Sequence, residues 1–198
     1  MTKAFTRVFL FFLFIPLLSN AGVFNLPSFI EEGHWSFGLE PEVVISRPTG
    51  VGINFKPRYG VNDFLNWQGI FGTGTGYYKF RTGITADFEW FPDNEDQPGI
   101  ATPVTLLYYR VEEAKLLNLF AQPMVYKTFN GEAGAYTPFV AFPLGWKFMD
   151  AKAEYFIHIA LGTVFHHPDT PHWQFTLEAA FNIQNSFSSI SGGITYNP

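Results

Sequence analysis

The chain has 198 residues and no cysteine; 15% of its residues are charged and 19% aromatic, with 24 Phe. That length suits one domain, and the lack of cysteine excludes a disulfide framework and thiolate metal sites. The formal charge of −5 argues against a general nucleic-acid partner, because such proteins are usually basic.

Lys3 and Arg7 precede the apolar run Val8–Leu18, and Ser19-Asn20-Ala21 follows with small residues at the spacing of a cleavage site. This layout predicts a secretory signal peptide over residues 1–21. The run is too short to cross a bilayer as a helix, which takes about 20 residues. Residues 22–33 are read as a lead-in, with Pro27-Ser28 able to start a helical turn tucked under or into the body that follows.

From residue 34 the chain alternates. His34–Ser46 puts Trp35, Phe37, Leu39, Val43 and Ile45 on one face and Glu40 and Glu42 on the other. Arg47-Pro48-Thr49-Gly50 is a turn by composition. Val51–Val61 returns with Lys56 and Arg58 on the polar face. Folding this hairpin with polar facing polar predicts Glu42 beside Lys56 and Glu40 beside Arg58. Phe64–Thr73 is irregular, since Ile70 breaks the parity of Leu65, Trp67 and Phe71, and a bulge is expected there.

Tyr77–Pro92 is the clearest strand. Tyr78, Phe80, Ile84, Phe88 and Trp90 share one face; Lys79, Arg81, Asp87 and Glu89 share the other. Its span exceeds a globular strand of about 5–6 residues and suits a tilted strand crossing a bilayer in about 9–11 residues. Gly72–Gly76 resembles a phosphate loop only superficially, lacking the final Gly-Lys-Ser/Thr. Asp93–Gly99 is an acidic loop without the ligand spacing of an EF-hand.

Ile100–Arg110, Lys115–Lys127, Tyr136–Phe148, Ala153–Phe165, Trp173–Ile183 and Phe187–Tyr196 continue the pattern, with Lys147, Glu154, His158 and Glu178 on polar faces. Pro103 and Pro123 each remove a ladder donor and are expected at bulges or bends. The fold class predicted is all-β: a closed antiparallel up-and-down transmembrane barrel over residues 34–198, of ten strands, with eight the other count. Apolar residues at every second position keep the mean hydropathy at +0.06.

With the N-terminus in the periplasm, Trp35, Tyr59, Trp90, Trp173 and Tyr196, with Tyr126, fall at one interface, and Tyr78, Tyr108 and Trp146, with Tyr155, at the other. Two aromatic belts are what amphipathic rings prefer at a bilayer. The longer loops fall on the periplasmic side, the reverse of the usual arrangement.

The polar faces together would line a lumen with Glu40, Glu42, Lys56, Arg58, Lys79, Arg81, Asp87, Glu89, Lys147, Glu154, His158 and Glu178. In a narrow barrel such charges are expected to interlock and fill the space. A narrow, porin-like pore and a catalytic site using His158 with Glu154 or Glu178 are the other readings. His166, His167, Asp169 and His172 form a turn where adventitious metal binding is the plainer reading. No catalytic residue, metal or cofactor is assigned.

On this pattern the chain resembles a small bacterial outer-membrane β-barrel protein over roughly residues 34–196. It is also similar to uncharacterised barrel proteins of predatory bacteria in Gly38-Leu39-Glu40-Pro41-Glu42, Phe91-Pro92-Asp93, Gln97-Pro98-Gly99 and Pro138-Phe139-Val140-Ala141-Phe142-Pro143. The resemblance implies export to the outer membrane, contact with its lipid and with the barrel-assembly machinery, and a monomer. It implies no activity, so no functional residue is carried over. Asn197-Pro198 after Tyr196 departs from the terminal aromatic such barrels often carry. A soluble periplasmic lipid carrier, with the apolar face inward, is the remaining alternative.

Overall fold

The computed structural model describes residues 25–27, 29–46, 49–76, 79–111, 114–149 and 152–198. The expected signal peptide, residues 22–24 of the lead-in and Tyr78 lie outside these.

Thirteen strand segments form one sheet: β1 (Trp35–Val44), β2 (Gly50–Asn62), β3 (Leu65–Gly74), β4 (Phe80–Phe91), β5 (Gly99–Val111), β6 (Ala114–Ala121), β7 (Met124–Tyr126), β8 (Phe129–Gly131), β9 (Gly134–Ala141), β10 (Leu144–Met149), β11 (Lys152–His166), β12 (Trp173–Gln184) and β13 (Ser189–Tyr196). β6, β7 and β8 are successive parts of one stave, and β9 and β10 of another. The sheet is therefore a closed antiparallel barrel of ten staves. Closure is made by β1 against β13, with Leu39 opposite Ile194 and Val43 opposite Ile190. A closed barrel leaves no backbone edge unpaired, the condition for strands to span hydrocarbon.

The breaks within staves have a common cause. Pro123 and Pro143 cannot donate to the ladder, yet each still accepts: Phe142 N–H donates to Pro123 O over 2.9 Å and His158 N–H to Pro143 O over 2.8 Å. Pro103, by contrast, stays in an unbroken β5 opposite Asp87, so the bend expected there falls instead across the ladder, between β6 and β7. β3 is also unbroken. The register shift lies in β2 between Gly60 and Asn62, and Ile70 points into the barrel, fully buried.

Side chains alternate in exposure along β1, with Trp35, Phe37 and Leu39 out and Glu40 and Glu42 in. The same split runs through β2, β3 and β12. Exposed large apolar residues recur around the whole wall, including Phe55, Phe71, Ile84, Leu106, Leu119 and Phe175. A continuous apolar exterior around a polar and aromatic interior suits lipid, not water. This facing is the reverse of what a lipid carrier requires.

Aromatic residues rim both ends. Trp35 packs on Tyr59 and Trp173 on Tyr196, each with ring centroids 5.0 Å apart, and Trp90 is exposed nearby in sequence to the same end. Trp67 lies opposite Tyr59 and joins this belt. Trp146 packs on Tyr155 at 6.0 Å at the other end, and Tyr108 is on the outer parity of β5. Tyr126 corrects the expectation: it points inward, buried, with its hydroxyl on Glu89.

Candidate functional site

The barrel interior divides into two halves. One, on β1 to β4 with β12, carries charge. Lys56 Nζ lies 2.6 Å from Glu40 Oε2, and Arg58 lies 3.4 Å from Asp87. Arg81 pairs with Glu42. Asn54 links two of these residues: its Nδ2 donates to Glu42 Oε2 over 3.0 Å, and its Oδ1 accepts from Arg81 Nε over 2.7 Å. Gly72 makes room for this link, since a Cβ there would stand 2.3 Å from Asn54 Oδ1.

The ion pairs differ from those expected of the β1–β2 hairpin. Glu40 stands opposite Asn54, and Glu42 opposite Gly52. Lys56 therefore reaches Glu40 diagonally, and Arg58 and Arg81 take partners from other strands. The expected register placed every charge opposite another. The observed one turns Val44 to Gly50 sooner and satisfies the charges across three staves.

Four carboxylates (Glu40, Glu42, Asp87 and Glu178) and three cations (Lys56, Arg58 and Arg81) are buried among the described residues. Three further expected lumen residues lie at the far end, the end opposite the chain termini. Lys79 precedes β4 and is exposed in the turn from β3; its backbone joins the turn to Arg110 O. Lys147 and Glu154 pair at 2.9 Å beside the β10–β11 turn, with the Glu154 side chain 45% exposed. These three sit on the rim, because the strands begin or end there.

The other half is apolar. Ile70, Leu107, Tyr109, Leu116, Phe120, Phe139 and Phe156 pack together inside the barrel. Tyr109 OH accepts from Asn118 Nδ2 over 2.8 Å. Sequence alternation missed this half because both parities of β5 and β6 are apolar.

The lead-in enters between the halves. Asn25 is fully buried. Its N–H donates to Gln122 Oε1 over 3.1 Å, and its O accepts from Gln122 Nε2 over 3.0 Å. Its Nδ2 donates to Thr105 Oγ1 over 3.1 Å, and its Oδ1 accepts from Gln68 Nε2 over 2.6 Å. Leu26 and Phe29 pack on the apolar cluster. No helix forms among the described lead-in residues, and one asparagine meets three staves. The space left between Leu26, Glu40, Lys56, Arg58 and Gln68 is about 10 Å³, room for roughly one water at most.

At the terminal end an open pocket of about 410 Å³ is lined by Phe29, Glu89, Asp93, Tyr126 and Lys127. The acidic loop here already holds a cation from the chain itself. Lys127 Nζ lies 3.0 Å from Asp93 Oδ1 and donates to Asn94 O and, over 3.3 Å, to Gln97 O. Burial raises the Asp93 carboxyl, but hydrogen bonds from Lys127 and Thr128 outweigh it and hold the group below its ordinary value.

His158 is buried between the ring edges of Phe156 and Phe187, both at 5.4 Å, with Nε2 on Ser186 Oγ. Neither expected carboxylate partner is there. Glu154 is with Lys147, and Glu178 stands opposite Gly162, whereas His158 stands opposite Asn182. Four residues of strand separate those positions, roughly 13 Å. Of the histidine turn, His167 Nδ1 accepts from Asp169 N–H over 3.1 Å while His172 contacts Asn197 O at 2.8 Å. Among the described residues no three metal-ligating side chains come together.

No family model matches the chain, and no curated protein does. Among solved structures, one described as "De novo design of transmembrane beta-barrels" is similar, with TM-score 0.40 and 13% identity over 86% of this chain and 100% of that one. No residue or role is carried over from it.

Proposed function

We propose that the protein is a bacterial outer-membrane barrel of structural or interaction type whose lumen is closed to solutes. The observation that supports this most is Asn25, which spends its backbone and side-chain hydrogen bonds on Gln68, Thr105 and Gln122 inside the barrel. Ser186 and Phe187 fold onto inward-facing His158 at the other mouth. Paired charges at one side and aromatic rings at the other take up the interior of a narrow barrel, which supports a closed lumen. The apolar exterior takes outer-membrane lipid as its partner, after export by the signal peptide and insertion by the assembly machinery, and the chain acts as a monomer.

Cell fractionation and liposome swelling test the two parts. The chain should float with outer-membrane lipid and shift in heat-modifiable electrophoresis; recovery as a detergent-independent soluble monomer would end the membrane reading. Liposomes carrying it should not swell in small sugars, and rapid swelling would end the closed lumen.

A further inference from the structure

The turn over the far mouth holds a side-chain pair that closing a barrel does not require. Ser186 Oγ lies on His158 Nε2, the relation of a hydroxyl nucleophile to its general base. Both members are held from several directions. The His158 N–H donates to Pro143 O, and its ring is fixed between Phe156 and Phe187 with interplanar angles of 86° and 84°. A register shift occurs beside it: Ile157 stands opposite Gln184 and His158 opposite Asn182, leaving Ile183 outside the ladder. Such bulges re-aim side chains and are over-represented beside active sites.

Ser186 is fixed in turn. Its N–H donates to Asn182 Oδ1 over 3.0 Å. The residue before it, Asn185, has φ 50°, a left-handed turn conformation that asparagine adopts more readily than most residues. Asn185 Nδ2 donates to Tyr155 O over 3.0 Å, and Asn185 O accepts from Lys147 Nζ over 3.4 Å. The serine is half-buried while the histidine is buried. The serine thus sits at the far rim, with its base the more deeply buried of the two.

We propose that Ser186 and His158 cleave carboxylic esters at the far rim of the barrel. Ser186 Oγ attacks the ester carbonyl carbon as its proton passes to His158 Nε2. The tetrahedral adduct collapses, the bond to the alcohol oxygen breaks, and the alcohol leaves with the proton from His158. Water then attacks the acyl-serine, giving its proton to His158; the acid departs and Ser186 Oγ regains a proton. No electron donor or acceptor is needed. Trp146 and Tyr155 mark this rim as the level of lipid headgroups, so the ester comes either from a membrane lipid or from a soluble molecule. A closed lumen is not required for this chemistry, and a conducting barrel would leave the proposal intact.

The test uses the folded full chain in detergent micelles, a fluorophosphonate probe, and p-nitrophenyl butyrate and laurate as substrates. One adduct per chain is expected, mapped by peptide mass to Ser186. Ser186→Ala should abolish it and lower hydrolysis at least about 100-fold, and His158→Gln should slow labelling by a similar factor. Ser188→Ala, in the same turn, should retain both activities. Heat-modifiable migration checks that each variant is folded, and adduct mapping on the unaltered chain needs no variant. Faster cleavage of laurate assigns the lipid source and faster cleavage of butyrate the soluble one. The absence of an adduct on the folded chain, or an adduct and hydrolysis unchanged in Ser186→Ala, would overturn the proposal.

Discussion

Gln68 Nε2 donates to Asn25 Oδ1 over 2.6 Å. One residue belongs to the wall of the barrel and the other to a segment outside the ladder. Through this bond, and those to Thr105 and Gln122, the lead-in becomes part of the interior.

Replacing Asn25 with alanine keeps its backbone bonds to Gln122 but removes the side-chain bonds to Thr105 and Gln68, leaving the buried Gln68 amide without this partner. A buried polar group so orphaned costs about 1–3 kcal/mol. Asn25→Ala should therefore lower stability by roughly 2–3 kcal/mol in urea unfolding from micelles, while the barrel still folds. An unchanged midpoint would show that Asn25 lies outside the barrel in solution.

Gly60 sits where the lead-in passes the wall. A Cβ there would stand 2.2 Å from Glu31 O and 2.6 Å from Ile30 O, distances that backbone atoms do not tolerate. Gly60→Ala should push Ile30–Glu31 away from the mouth. Limited proteolysis should then cut the lead-in faster, with the heat-modifiable band retained. Equal cutting rates in both chains would contradict this.

The charged half offers a double-mutant test. Lys56→Met alone leaves Glu40 buried without its cation, and breaking a buried pair from one side costs about 3–5 kcal/mol. Removing both, as Lys56→Met with Glu40→Met, should cost less than either single change. A double mutant as unstable as the sum of the singles would show that the two do not interact.

Asp93 gives a pH dependence with a definite sign. Its carboxyl is held below the ordinary value by Lys127 and Thr128, so the charged form is favoured in the folded state. That stabilisation is complete above the unfolded carboxylate value of about 3.9 and is lost as pH falls through the lower folded value. Amide exchange at Thr128, whose N–H donates to Asp93 Oδ2 over 2.6 Å, should accelerate across that acid window. Asp93→Asn should remove the dependence; an identical acid profile in that variant would rule Asp93 out as its source.

The wall was legible in the sequence because its two solvents differ. Residues Phe80 to Trp90 alternate cleanly where one face meets lipid and the other meets Arg81 and Asp87, and the structure follows that parity. The interior was only half legible. Leu107 and Tyr109 point inward while Leu106 and Tyr108 point outward, and alternation carries no signal when both faces are apolar. Ile70 read as a fault in β3 for the same reason. The ion-pair partners depended on register, which a turn of uncertain length does not fix. Asn25 was invisible, since nothing in a short polar-apolar segment says which buried amides await it. Ser186 gave no signal either; only the fold brings it to His158, 28 positions away in sequence.

Planar-bilayer recording tests the closed lumen most directly. The intact chain, inserted in a lipid bilayer and held at moderate voltage in concentrated potassium chloride, should give no unitary steps. Steady steps of one size from the intact, folded barrel would contradict the account.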